Sequence, residues 1–461
     1  MNAGLPNRAL FHWTLKREGI VAPDERLPWP QTVALGVQHI FAMFGATVLA
    51  PIIMGFDPNT AILFSGIGTL IFFVIVGGRV PSYLGSSFSF IAVVIAATQY
   101  AGSGPNPNLA VALGGIIAAG ALYAAIGLAV MAVGYRWIEV LMPPVVTGAV
   151  VAVIGLNLAP VAISNLVSAD GAAPQSVNQF TTLVGLLTVC AVGLVAVRAP
   201  GLFRRLPILL GGIAGYVIYL VLANGLGWGK PIDFAALGNA AWIGMPSLTA
   251  PSFQPGALTL IAPVAIILVA ENLGHVKAVA AMTGRNLDPY LGRAFLGDGV
   301  ATMIAGAGGG TGVTTYAENI GVMAVTKIYS TLVFVIAGLV AIAMGFSPKF
   351  GALIGTIPAP VLGGLSIVLF GMIAATGARI WIQNRVDFSN NRNLITAAVA
   401  LTLGAGNLAI TIGDFQLGGI GTATFGAILV YQLLREPRLA TEPDAGALPE
   451  AAVAAGATTR P

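Results

Sequence analysis

Gly306-Ala307-Gly308-Gly309-Gly310-Thr311-Gly312 followed by Val313-Thr314-Thr315-Tyr316-Ala317-Glu318-Asn319-Ile320-Gly321 decides how this chain is read. The glycine run disfavours a continuous helix, since each glycine loses about 1 kcal/mol of helix preference relative to alanine. The stretch after it sets a carboxylate and a carboxamide side by side in a chain otherwise suited to lipid. An acid at membrane depth is costly, so it marks a functional site by default. Broken backbone at that depth is tolerated only where it is buried in protein or lines a cavity. Together these features predict a binding site near the middle of a bilayer.

The composition agrees. Of 461 residues 57% are hydrophobic and only 8% charged, against about a quarter charged in soluble domains. Apolar runs recur from residue 33 to 434, which excludes a soluble globular protein and predicts an all-α polytopic membrane protein. The 60 glycines and 28 prolines suit membrane helices that pack closely and kink. Cys190, the single cysteine, lies in an apolar run and is expected to be a small buried hydrophobe. Residues 1–30 are polar and lack the apolar stretch of a cleavable leader. The tail from Glu436, rich in Ala, Pro and Glu, is expected to be disordered. The formal charge of +4 does not point to nucleic acid, because the basic residues are dispersed.

The hydropathy divides into fourteen segments, near 33–54, 60–77, 84–99, 109–133, 138–160, 180–198, 206–226, 257–282, 294–306, 313–326, 327–346, 358–376, 394–413 and 418–434. Those beginning at 84, 294 and 313 are short for a spanning helix. Threaded through a membrane, this segmentation leaves all Lys and Arg except Lys230 and Lys349 on the side that holds both termini. The positive-inside rule then places both termini in the cytoplasm. Segment 5 opens Met142-Pro143-Pro144-Val145-Val146-Thr147-Gly148, and segment 12 opens Ile357-Pro358-Ala359-Pro360-Val361-Leu362-Gly363-Gly364. Segments 3 and 10, also seven apart, are both short and interrupted by polar residues. An odd offset gives the two halves opposite topology, so a 7+7 inverted repeat is expected. Short, interrupted segments at matching positions of two halves point to a transporter site.

Polar residues at membrane depth are few. Segment 1 holds Gln38-His39, segment 3 opens Ser82-Tyr83-Leu84-Gly85-Ser86-Ser87-Phe88-Ser89-Phe90, and segment 8 carries Glu271-Asn272-Leu273-Gly274-His275. Asp298 lies near the start of segment 9, and Glu318 and Asn319 lie in segment 10. Glu271 and His275 share a helical face one turn apart, an arrangement that suits proton exchange or a plain structural link. It does not suit zinc, since no further His or Cys is near. Glu318 falls at the N-terminus of a half-helix, where free backbone N–H groups point outward, and segment 3 would repeat the arrangement around Ser87 and Phe88. Two facing half-helices would offer donors to carbonyl oxygens, and Glu271 and Glu318 would offer acceptors to N–H groups. A planar ring with alternating C=O and N–H, such as uracil, matches that set. Phe88, Tyr316 and Phe370 are candidate aromatic walls or simple packing residues. Gln38-His39 either orients the site or makes a buried helix–helix bond. The glycine run lacks the lysine and the strand–helix setting of a phosphate loop, no nucleophile–base pair suggests an enzyme, and no cofactor is implied.

These residues resemble the nucleobase–ascorbate transporter family, also called nucleobase–cation symporter family 2. Its motif, an acid, amide or proline followed by Asn-x-Gly-x4-Thr and a basic residue or Gly, stands here as Glu318-Asn319-Ile320-Gly321-Val322-Met323-Ala324-Val325-Thr326-Lys327. Gln38-His39 is similar to the family's Gln-His pair, and the resemblance runs over residues 22–434, nearest to bacterial uracil and pyrimidine permeases. It implies a cytoplasmic segment at 1–30 and a core domain from 31–135 and 255–347. A gate domain would take 136–230 and 348–434, and a cytoplasmic tail 435–461. It further implies short antiparallel strands before the half-helices of segments 3 and 10. The expected assembly is a homodimer in the bacterial inner membrane, and the expected activity is proton-coupled import of a nucleobase by an elevator movement. Residue by residue, Glu271 and Glu318 match the carboxylates that bind the base, and His275 matches the nearby histidine. Phe88 and Ala317 match the positions that lend backbone groups, and Asp298 and Asn319 fill polar positions. Ala317 stands where uracil permeases commonly have Gly, and Phe370 where a related permease has Tyr, so the choice among uracil, thymine and xanthine stays open.

Overall fold

A computed structural model describes residues 11–100, 104–167, 179–201, 203–412 and 415–435. The tail expected to be disordered lies outside them. Eight helices of the described residues are long and apolar enough to cross a membrane: Trp29–Met54, Pro58–Ile75, Leu109–Val133, Pro144–Val167, Gln179–Arg198, Pro207–Gly225, Pro255–Thr283 and Ala359–Gln383. A ninth candidate, Thr331–Gly345 with Pro348–Gly355, is bent by 82° at its break. Leu291–Gly308, Asn391–Ala405 and Gly419–Leu433 add further helices at the expected segments 9, 13 and 14.

Several boundaries differ from expectation. Segment 5 begins at Pro144, after a separate short helix Arg136–Leu141, because the Pro143-Pro144 pair cannot continue a helix from upstream. Segment 9 is 18 residues long rather than short. The expected bounds leave out residues 291–293, where Arg293 interrupts the apolar run, and residues 307–308 at the start of the glycine run, yet the helix covers both. Cys190 is exposed, not buried. It sits on a helix whose Leu183, Leu186, Leu194 and Val197 are also exposed, an apolar outer face that suits lipid.

Among the described residues three two-stranded sheets punctuate the helices: β1 (Thr14–Leu15) with β2 (Glu25–Arg26), β3 (Leu84–Ser86) with β4 (Val313–Thr315), and β5 (Ile410–Ile412) with β6 (Phe415–Leu417). The middle pair is antiparallel, with Leu84 opposite Thr315, Gly85 opposite Thr314 and Ser86 opposite Val313. β3 leads into a 3-10 turn at Phe88–Phe90 and the helix Ile91–Thr98, and β4 leads into Ala317–Thr326. These helices of 8 and 10 residues reach about 12 and 15 Å, half the thickness of a hydrocarbon core. Each ends in a left-handed residue that is not glycine, Gln99 and Lys327. The glycine run behaves as its composition dictates: the preceding helix stops at Gly308, and Gly309 adopts φ of 97°.

Two bodies of helices are distinguishable by their packing. Leu291–Gly308 lies against Leu109–Val133 and Pro58–Ile75, and Thr331–Gly345 against Pro58–Ile75 and Trp29–Met54. Separately, Ala359–Gln383 lies against Pro144–Val167 and Gln179–Arg198, and Asn391–Ala405 against Gly419–Leu433 and Pro144–Val167. Close backbone approach drives the tightest crossings. A Cβ on Gly299 would fall 2.5 Å from the Ala124 nitrogen, and one on Gly155 would fall 2.2 Å from the Phe370 carbonyl oxygen. Small residues let membrane helices gain dispersion contacts where no hydrophobic drive separates helix from lipid.

Candidate functional site

The β3–β4 pair sets the site. Its ladder extends at each end, Ser87 N–H donating to the Gly312 carbonyl (2.9 Å) and Tyr316 N–H to the Tyr83 carbonyl (3.1 Å). The two half-helices therefore start at the sheet and carry Phe88 and Ala317 at their first turns. The close fit explains two glycines: a Cβ on Gly85 would meet the Tyr316 ring at 2.4 Å, and one on Gly312 the Phe90 ring at 2.2 Å.

At these helix starts lies a cavity of about 60 Å³. Ser87, Phe88, Tyr316, Ala317 and Glu318 line it from the sheet and the half-helices, and Glu271 and His275 from Val264–Thr283. Val151, Ile154, Ile373 and Thr376 close it from the second body of helices. Seven residues expected from sequence thus share one cavity. A larger opening of about 530 Å³ adjoins Glu318 from its other side, with Gly201, Arg204, Pro207, Gly321, Val322 and Val325 on its walls.

Five other expected residues stand behind the cavity rather than in it. Phe370 is not among the lining residues and makes a T-shaped contact with Phe88, with ring centroids 5.8 Å apart. Asn319 donates its amide to the His39 carbonyl (3.1 Å) and lies 3.0 Å from His39 Nδ1, which ties the half-helix to Trp29–Met54. Gln38 is buried nearby in sequence, with its amide nitrogen unpartnered in the protein. Asp298 is fully buried and accepts from the Asn272 amide at 2.7 Å. Tyr316 also works as a strut: its hydroxyl donates to the Ser86 carbonyl (2.8 Å) and receives one from Thr47 (3.1 Å).

Thr315 and Asn272, to which the sequence reading gives no role of their own, connect to the cavity residues. His275 Nδ1 lies 2.9 Å from the Thr315 hydroxyl, which reaches Asn272 at 3.3 Å. A hydrogen-bonded line therefore runs from His275 on the cavity wall to buried Asp298. One Glu271 oxygen and the Ser89 hydroxyl are buried without a protein partner. Such groups are rare and call for a ligand, an ion or water. The cavity thus offers acceptors from two carboxyl groups, backbone donors at two helix starts, and the aromatic side chains of Phe88 and Tyr316 on its wall.

Comparison with known proteins gives the family. RutG of Escherichia coli strain K12, a pyrimidine permease by name, is 63% identical over 427 residues, 92% of this chain and 95% of that protein. Proteins named uracil permease from Bacillus caldolyticus and Paenibacillus larvae are 42% and 40% identical, over 88% and 90% of this chain and 92% and 96% of theirs. Among solved structures, the murine Solute Carrier 26 family member A9 anion transporter, in its inward-facing state, superposes with a TM-score of 0.64. It shares 11% identity, with 87% of this chain and 67% of that one covered. The transmembrane domain of the cyanobacterial bicarbonate transporter BicA gives 0.59 at 17% identity, over 86% of this chain and 96% of that one. At such identities these two show a shared fold alone, that of membrane transporters. A family model described as the Permease family (Xan_ur_permease) matches residues 30–413, and the chain is a multi-pass membrane protein that belongs to this family of uracil and pyrimidine permeases.

Proposed function

We propose that the protein is a proton-coupled symporter importing a pyrimidine base, uracil first, across the bacterial cytoplasmic membrane. One observation carries the reading: Glu271 and Glu318 face a single cavity that also receives the starts of two half-helices. Uracil alternates two carbonyls with two N–H groups. Its N–H groups would be taken by the carboxylates, and its carbonyls by backbone amides beside Phe88 and Ala317. Phe88 would lie against the ring. Protonation of the Glu271, His275 and Glu318 cluster would accompany loading. The second opening beside Glu318, walled by the half-helix and by Arg204, is the exit in this conformation, toward the basic, cytoplasmic side.

The fourteen-span, inverted-repeat reading has its support in paired contacts. Segment 9 packs on segment 4 as segment 2 packs on segment 11, and segment 13 packs on 14 as 6 packs on 7. The grouping of segments 1–4 with 8–11 and of 5–7 with 12–14 follows the same packing. The substrate cavity lies between the two groups, where an elevator displacement of one against the other would open it to either side. A homodimer through the gate group completes the proposal.

An anion transporter is the alternative that the fold suggests. It would place a cation at the half-helix N-termini, where this chain has Glu318. Binding of radiolabelled uracil to purified protein, followed against pH, tests the proposal. Saturable, pH-dependent uracil binding is expected. Binding of xanthine but not uracil would transfer the reading to purines, and binding of bicarbonate or sulfate alone would sink it.

A further inference from the structure

A two-stranded sheet buried in a membrane protein has two outer edges, and each exposes backbone N–H and C=O groups. Open edges are not tolerated in hydrocarbon unless something satisfies them. Here each outer edge is met by a threonine hydroxyl from a neighbouring helix. On the β3 side, Leu84 N–H donates to Thr69 Oγ1 (2.9 Å), and the Leu84 carbonyl accepts from Ser65 one turn earlier on the same helix (2.7 Å). On the β4 side, Thr302 serves both groups, its oxygen accepting from Val313 N–H (3.2 Å) and its hydroxyl donating to the Val313 carbonyl (3.1 Å). Leu84 and Val313 are the first residues of their strands, and both threonines are fully buried.

Thr69 and Thr302 occupy matched places. Thr69 belongs to segment 2 and Thr302 to segment 9, seven segments on. Neither lines the cavity. We infer that Thr69 and Thr302 are paired positioning residues for the substrate site, each locking one edge of the β3–β4 sheet and so fixing the spacing between the starts at Phe88 and Ala317. The inference deepens the nucleobase reading and rests on it. A strand whose edge is released shifts against its partner, and its half-helix start moves with it. Donors on one side of the cavity then fall out of reach of a ligand held by the other.

The test compares Thr69→Val and Thr302→Val with Thr69→Ser and Thr302→Ser in uracil uptake, read as KM and as maximal rate per molecule in the membrane. Valine keeps the shape and removes the hydroxyl; serine keeps the hydroxyl. Each valine variant is expected to raise KM about tenfold, in line with one unpaired buried group, and each serine variant to stay near wild type. Thr188→Val is the control, because its buried hydroxyl donates only within its own helix, to Val184. A merely structural role would lower the amount of protein and leave KM unchanged, and that result overturns the inference. Equal KM defects in the Val and Ser variants also overturn it. Should a valine variant fail to accumulate, cysteine at that position, similar in size but a weak hydrogen-bonder, is read by the same criteria. Wild-type protein that takes up no uracil would instead refute the nucleobase reading itself.

Discussion

Asn319 reaches across from the half-helix to His39 of the first long helix, its amide nitrogen 3.1 Å from the backbone carbonyl and 3.0 Å from ring Nδ1. Both side chains are buried, and the His39 ring packs on Phe334 at 4.6 Å between centroids. The residue beside Glu318 is therefore what anchors the Glu318 helix to its neighbour.

Asn319→Asp should show the worth of that anchor, since a carboxylate cannot donate to the His39 carbonyl. Removing one partner of a buried hydrogen bond loses about 1–3 kcal/mol. The expected outcome is a uracil uptake rate at low substrate reduced about tenfold or more, with the protein still present in membranes. His39→Phe, which keeps its backbone carbonyl, should be milder. Uptake assays normalised to membrane protein check both.

Glu318→Gln keeps size and one acceptor but abolishes the negative charge and the exchangeable proton. Uptake driven by a pH gradient should vanish, as it should in Glu271→Ala. Glu318→Asp should retain part of it, because the half-helix start is unchanged. Rates like those of wild type in Glu318→Gln would remove this carboxylate from the coupling site.

Much of this site is legible in the sequence because membrane chemistry leaves few polar residues to consider. Glu271, His275 and Glu318 stand out from apolar surroundings, and the Gly306–Gly312 run marks where the helix ends. The features that stay hidden depend on contacts between distant segments. Thr69 looks like an ordinary helical threonine, and it does bond back to the Ser65 carbonyl at 2.8 Å; nothing local marks its second bond to Leu84. Phe370 reads as a candidate wall because aromatic character is visible in a sequence, whereas its T-shaped contact with Phe88 is not. Segment 9 reads as short because Arg293 and the glycine run bound its apolar stretch, although the helix continues through residues 291–293 and 307–308. The polar N-terminal residues give no sign that Val21 pairs with Ile328 or that Asp24 meets Arg285 at 2.5 Å.

Outside the membrane, Asp288 offers a test of stability against pH. Partial burial alone would raise its carboxyl pKa, but hydrogen bonds from Lys277 (2.7 Å) and Tyr135 (2.6 Å) outweigh this and hold it below the usual range. A depressed folded value means stability that is present above the unfolded value of about 4 and lost as pH falls through the folded value. The partners are partly solvated, so the contribution is about 0.5–1 kcal/mol. Asp288→Asn should lower the melting temperature by about 0.5–1 °C at pH 7, with the gap closing below about pH 4. A gap that is constant across this range would show that the ion pair is not its source. Thermal denaturation followed in detergent at both pH values measures it.

The proposed nucleobase site makes Ala317 the position at which to test the choice of base. It lies at the first turn of the Glu318 half-helix and lines the cavity, so on the proposed binding mode its methyl group would take up space beside the ring while its backbone would serve as a donor. Ala317→Gly removes the methyl without altering the donor. Glycine in the first turn of a helix weakens it by about 1 kcal/mol at most, too little to unfold the site. The variant should therefore keep uracil uptake within a few-fold of wild type, and it should improve the uptake of thymine or xanthine relative to uracil. One methyl group in a pocket is worth about 1–3 kcal/mol of discrimination, so a shift of about tenfold in the ratio of kcat/KM values is expected. Ala317→Val, which adds bulk at the same point, should move the ratio the other way and lose uracil uptake first. Competition of unlabelled bases against labelled uracil in the three proteins measures the ratio, and an unchanged order of bases would place the selectivity filter elsewhere on the cavity wall.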